Sequence, residues 1–179
     1  SHRFKVSTSL AGRPFESFVL DVGYRETQEI QSETLHTDDL LAFAGIEPVE
    51  VEAIALEVQV AEKLHALTRT YEGGRTSTRT KDLVDVVLIS TLSSLDAENL
   101  KREIQEVFTK RGTHPVPYAV PPPPPEWDQP FLRLANEVGI PNKLAAGHRT
   151  TSAFVDPILS GEVTAGTWNP ENQRWEKPG

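Results

Sequence analysis

Residues 58–90, VQVAEKLHALTRTYEGGRTSTRTKDLVDVVLIS, decide how this chain is read. At helical spacing Val60, Leu64, Leu67 and Tyr71 fall on one stripe, the i, i+4, i+7, i+11 pattern of an amphipathic helix packed by one face. The paired glycines of Tyr71-Glu72-Gly73-Gly74 supply the backbone freedom of a C-terminal cap, so the helix is expected to end there. A polar loop follows, and Thr80 is placed to cap a second helix from Lys81 to Thr91. Leu83, Val84, Val86, Val87, Leu88 and Ile89 surround most of that helix, which predicts burial. Lys63 stands at the edge of the first stripe. A lysine there either runs its stem along the core and sends its ammonium to water, or presents a cation at the rim of a cleft. Asp82 lies in the first turn of the second helix, where the helix dipole alone accounts for a carboxylate. Asp85 follows at i+3, and two carboxylates so spaced either hold a divalent cation or face water. His65 points away from the stripe and is expected at the surface.

Upstream, residues 3–9 and 15–22 read as two strands around the turn signal Gly12-Arg13-Pro14, with Phe18, Leu20 and Val22 on one face and Val19 and Asp21 on the other. Asp21, in FVLDV, reads most simply as a strand-end aspartate with its carboxylate in solvent. Residues 24–37 are polar. Thr37-Asp38-Asp39 is placed to start a short helical turn through Leu40, Leu41 and Phe43, stopped by Gly45, and Val49–Ala55 reads as a strand feeding the first helix. Downstream, Asp96–Lys110 is an amphipathic helix with Leu100, Ile104, Val107 and Phe108 inward and Gly112 past its end. HPVPYAVPPPPPEWDQP, residues 114–130, breaks the pattern: its five consecutive prolines donate no backbone hydrogen bonds and favour an extended polyproline helix, which predicts a semi-rigid strap or linker. A helix stopped by Gly139, another over 143–154 ended by Asp156-Pro157, and a hairpin with Trp168 and Trp175 astride Asn169-Pro170 complete the chain.

With 179 residues and 37% hydrophobic content the chain can bury a core of its own. It has no cysteine and no methionine, which excludes disulfides, thiolate metal sites and a cysteine nucleophile. No apolar run reaches the roughly 18–20 residues that span a bilayer, and SHRFKVSTSL lacks a signal-peptide layout, so a cytoplasmic protein with no membrane partner is expected. The formal net charge of -8 argues against a protein built to coat nucleic acid. The basic runs Arg69, Arg75, Arg79, Lys81 and Lys101, Arg102, Lys110, Arg111 are either local phosphate surfaces or solvated faces. The five histidines show no metal-binding spacing, and neither a Walker loop nor GxSxG occurs.

In combination, AEKLHALTR (61–69), RTKDLVDV (79–86), PPPPPEW (121–127) and FVDPIL (154–159) resemble the AbiEii/AbiGii-type nucleotidyltransferases, the MenT-like toxins of type IV toxin–antitoxin and abortive-infection systems. The resemblance implies an α+β fold: a partial nucleotidyltransferase-like core over residues 1–112, with a short mixed sheet and flanking helices, then a proline-rich strap at 113–126 and a helical lobe with a terminal hairpin at 127–179. It also implies that Lys63 contacts the triphosphate of a bound nucleotide together with Arg79 and Lys81, that Asp82 is an active-site aspartate, and that Asp21 adds a carboxylate to a metal site. Mg2+, a nucleoside triphosphate substrate, an acceptor such as tRNA and a cognate antitoxin are the implied cofactor and partners.

The chemistry accounts for these residue types. In nucleotidyl transfer a hydroxyl attacks the α-phosphorus and pyrophosphate leaves; carboxylates hold the metal ions that stabilise the attacking and leaving oxygens, and lysine supplies a compact charge for the phosphates. One departure stands out. The family's first motif, GSxxxxxxxxxxDxD, supplies the principal metal ligands and occurs nowhere in these 179 residues. The abrupt start without Met favours a fragment over a member that has lost that half, and the polypeptide alone is then expected to be inactive. The alternative is a non-catalytic module that binds protein or RNA.

Overall fold

The computed structural model describes residues 2–23, 31–39, 42–69 and 79–177. The chain divides into two compact units, Ser1–Ile30 and Gln31–Gly179. In the first, β1 (His2–Leu10) and β2 (Arg13–Val22) form an antiparallel hairpin. Ala11 and Gly12 make the two-residue turn, both with positive φ (50° and 77°), as a tight hairpin connection requires. The turn is therefore one residue earlier than the sequence signal, and Arg13 and Pro14 belong to the strand. Between Ser7 and Ser9 the register shifts, and there Thr8 Oγ1 donates to the Glu16 carbonyl and accepts from the Glu16 amide. Phe18, Leu20 and Val22 lie opposite Val6, Phe4 and His2, as the alternation predicted, on a face that is largely exposed.

The second unit opens with β3 (Ser32–His36), antiparallel to β4 (Glu50–Ile54). β3 lies in the stretch read as merely polar, because SETLH has Leu35 as its single apolar residue and no face to bury. A 3-10 turn at Ala42–Ala44 is closed by the Gly45 amide on the Ala42 carbonyl; Leu40 and Leu41 lie outside the described residues. α1 (Leu56–Thr68) stops short of the expected end, with Arg69 already extended. Tyr71 and the glycine pair lie outside the described residues. α2 spans Thr80–Leu92 with Arg79 in the capping position; Thr80, expected as the cap, is instead a buried first-turn residue. α3 (Ala97–Arg111) starts where the Asp96 carboxylate accepts from the Asn99 amide at 2.8 Å and ends at left-handed Gly112. α4 (Asp128–Val138) is stopped by Gly139, as expected.

α5 (Leu144–Leu159) runs through Pro157 instead of ending there. The proline removes only its own amide from the ladder, the Ser160 amide bonds back to the Asp156 carbonyl, and Ile158 is buried in the core beyond it. β5 (Thr167–Asn169) and β6 (Arg174–Glu176) set Trp168 opposite Trp175 in the expected hairpin. Trp168 Nε1 donates to the Ser90 carbonyl at 2.7 Å and Trp175 Nε1 to the Phe154 carbonyl at 2.8 Å, which ties the hairpin to α2 and α5.

Two clusters form the core of this unit. In the larger, Val60 and Leu64 of α1, Val86 of α2, Leu100 and Ile104 of α3, Phe154 of α5 and Trp168 are essentially fully buried. In the smaller, Leu83 and Val84 of α2 meet Trp127, Phe131 and Leu144. α2 feeds both clusters, which explains apolar positions around most of its circumference. The strap crosses this body: the Val120 amide donates to Asp156 Oδ1 at 2.8 Å, His148 Nε2 lies 3.2 Å from the Val120 carbonyl, and Trp127 is buried at its end.

The fold is α+β, as expected. Its strands pair two by two and antiparallel among the described residues, in place of the short mixed sheet the resemblance implied. No helix among them is long and apolar enough to cross a membrane.

Candidate active site

α1 and α2 pack so that Lys63 meets the first two turns of α2. The stripe of Val60, Leu64 and Leu67 turns into the core, and Lys63, beside it, is left at the boundary with only 22% of its side chain exposed. Asp82 and Asp85, one helical turn apart, share the facing side of α2 and are 16% and 23% exposed. Lys63 Nζ donates to Asp85 Oδ2 at 2.6 Å and lies 3.8 Å from Asp82 Oδ1. Arg79 Nη1 approaches Asp82 Oδ2 to 3.7 Å, an ionic approach too long for a hydrogen bond, and that buried oxygen has no hydrogen-bond partner. Lys81 is exposed beside it.

The two carboxylates are thus unequally served. Burial pushes the Asp82 carboxyl above its ordinary value, and the charges of Lys63 and Arg79 offset that only in part. A first-turn position would normally favour the ionised form. Here desolvation wins.

Asp21, the third expected site residue, belongs to the first unit. There it pairs across the hairpin with Arg3, which donates from Nε to Oδ1 at 2.6 Å and from Nη2 to Oδ2 at 2.9 Å. This bidentate pair is exposed, and Arg3 holds the Asp21 carboxyl below its usual range.

His65, expected at the surface, is buried. Its Nε2 lies 2.8 Å from Thr113 Oγ1, whose other neighbour is His114 Nδ1 at 2.9 Å; His114 Nε2 in turn lies 2.9 Å from Thr68 Oγ1. Phe108 packs edge-on to both rings. α1 is covered by α3 as well as α2, so its buried face is wider than the single stripe, and His65 falls in the added sector. Nothing local signals this network, since Thr113 and His114 lie far along the chain. Asp85 did carry a signal, its i+3 spacing from Asp82.

The sequence model of one protein family, nucleotidyl transferase AbiEii toxin of type IV TA systems, matches residues 1–165 of the 179. The chain belongs to the AbiEii family. The AbiEii match takes in both units and the cluster around Lys63, and it stops just short of the tryptophan hairpin. No curated protein matches the chain. For an AbiEii toxin the metal question is immediate: among the described residues no three or more His, Asp or Glu side chains converge as a metal site.

Proposed function

We propose that the cleft around Lys63 is the triphosphate side of a nucleotidyltransferase site, which transfers a nucleotide from a nucleoside triphosphate to an acceptor such as the end of a tRNA, in a toxin restrained by a cognate antitoxin. The observation that carries the reading is the Lys63 ammonium at the boundary of α1 and α2, held by Asp85 and 3.8 Å from Oδ1 of an Asp82 whose other oxygen is buried without a hydrogen bond, in a chain of the AbiEii family.

Each group has work suited to its state. Lys63 has three donors, one engaged by Asp85, and offers the others to the phosphates as negative charge moves onto the leaving pyrophosphate. Arg79 and Lys81, at the start of α2, extend that positive surface. Asp82 is disfavoured as an anion, which makes it the better proton acceptor for the attacking hydroxyl. Magnesium requires several converging oxygen ligands. The described residues bring together only Asp82 and Asp85, with Lys63 on Asp85, so they do not by themselves form a magnesium site. Within its own unit Asp21 is engaged by both hydrogen bonds from Arg3.

The test is transfer of α-labelled ATP, GTP, CTP and UTP, each with Mg2+, to bulk tRNA by the intact gene product. Label is expected on RNA with at least one nucleotide, and Lys63→Ala and Asp82→Ala should each cut the rate by about 100-fold or more, the scale of losing one transition-state contact. No transfer from any of the four by folded wild-type protein overturns the reading.

A further inference from the structure

Lys63 has two carboxylates within reach and divides itself unequally between them. Its ammonium is in hydrogen-bond contact with Asp85 Oδ2 at 2.6 Å and stands off Asp82 Oδ1 at 3.8 Å. Exposure does not set this choice, since the two carboxylates are 23% and 16% exposed. The need for a partner would set the opposite choice: Asp82 Oδ2 is buried without a hydrogen bond, and an unmet buried acceptor is the costlier state. A lysine stem with four rotatable carbons is free to swing to the needier oxygen unless something holds it. Asp85, one turn further along α2, is the group in place to do so.

We propose that Asp85 is a positioning residue: it holds the Lys63 ammonium off Asp82, so that the cation stays at the α1–α2 boundary and Asp82 is left without a hydrogen bond from it. This rests on the cleft being the nucleotide site, but the placement of the ammonium is tested apart from any activity. The geometry gives the two aspartates of RTKDLVDV different work although they lie on one face of one helix. Asp82 faces the chemistry, and Asp85 acts through Lys63. Without Asp85, Lys63 closes onto Asp82.

The experiment is NMR on uniformly 13C,15N-labelled protein, reading hydrogen-bond scalar correlations from Lys63 Nζ to side-chain carboxyl carbons. In the wild type a correlation to Asp85 is expected and none to Asp82; a correlation to Asp82 overturns the proposal without any variant. In Asp85→Asn the correlation should move to Asp82, and in Asp85→Glu it should stay on residue 85. Loss of both correlations in a folded Asp85→Asn protein also overturns it, because Lys63 then avoids Asp82 without being held. A failed nucleotide-transfer assay with these NMR results intact overturns the functional reading and leaves the positioning standing.

Discussion

At the scale of single residues, the cluster around Lys63 is held at a cost in stability that falls on Asp82. Because the folded-state value of Asp82 is raised, the folded protein keeps its proton longer than the unfolded chain does. Below the unfolded value of about 4 both states are protonated and nothing is lost; as pH rises through the folded value, ionising Asp82 subtracts stability. Asp82→Asn is therefore expected to melt at or above the wild-type temperature at pH 7, with the advantage shrinking towards pH 4, while nucleotide transfer is lost. Lower stability of Asp82→Asn at pH 7 would show that the carboxylate supports the fold. Lys63→Met should act the other way, leaving two carboxylates facing each other. A loss of about 1–2 kcal/mol at pH 7, between the exposed and the fully buried case, is expected from chemical denaturation. The edge position of Lys63 and the i+3 spacing of the aspartates were legible in the sequence. The unequal sharing of the ammonium was not, because it depends on how two helices from different parts of the chain meet.

At the scale of elements, helices whose ends carry their own chemistry were legible and those shaped by neighbours were not. α3 has Gly112 just past its end, as read, and Asp96, read as its first residue, is the cap that precedes it. α5 outruns its proline because Ile158 has a place in the core, which no local pattern records. β3 is invisible in SETLH, since its partner β4 supplies the ladder. Close packing also sets limits that helix propensity ignores. A methyl on Gly147 of α5 would collide with the ring of fully buried Phe131, with Cε2 at 2.8 Å. Gly147→Ala gains about 1 kcal/mol in helix propensity but overpacks the α4–α5 contact by about 1–3 kcal/mol. The expected outcome is a lower melting temperature, relieved when Phe131→Leu is added. An increase on Gly147→Ala alone would mean that α4 shifts freely.

Across the whole chain, acid should weaken the larger unit through buried His65 and half-buried His114. Burial first, then the charges of His114 and Arg111, lower the His65 value against the smaller pull of Glu62; burial and Arg69 lower that of His114. A depressed histidine is neutral in the folded state while the unfolded chain already takes up protons. Stability is therefore complete above about pH 6.5 and declines as pH falls from there through the folded values. Urea midpoints measured from pH 8 to pH 5 should drop below pH 6.5, and the drop should be smaller in His114→Asn. An unchanged slope in that variant would place the effect elsewhere. The broad division into strands, helices, strap and hairpin was readable from turn and cap residues. The histidine network around His65 was not, because its members are brought together only by the packing of α1 on α3.

The three tryptophans give the molecule an optical asymmetry. Trp127, Trp168 and Trp175 all belong to Gln31–Gly179, two of them buried and the third bonded to a main-chain carbonyl of α5. Ser1–Ile30 has no indole at all. Intrinsic emission thus follows the melting of the helical body and is blind to the β1–β2 hairpin, so a fluorescence trace that coincides with the far-ultraviolet dichroism change reports cooperation between the two units, and one that departs from it reports their independence.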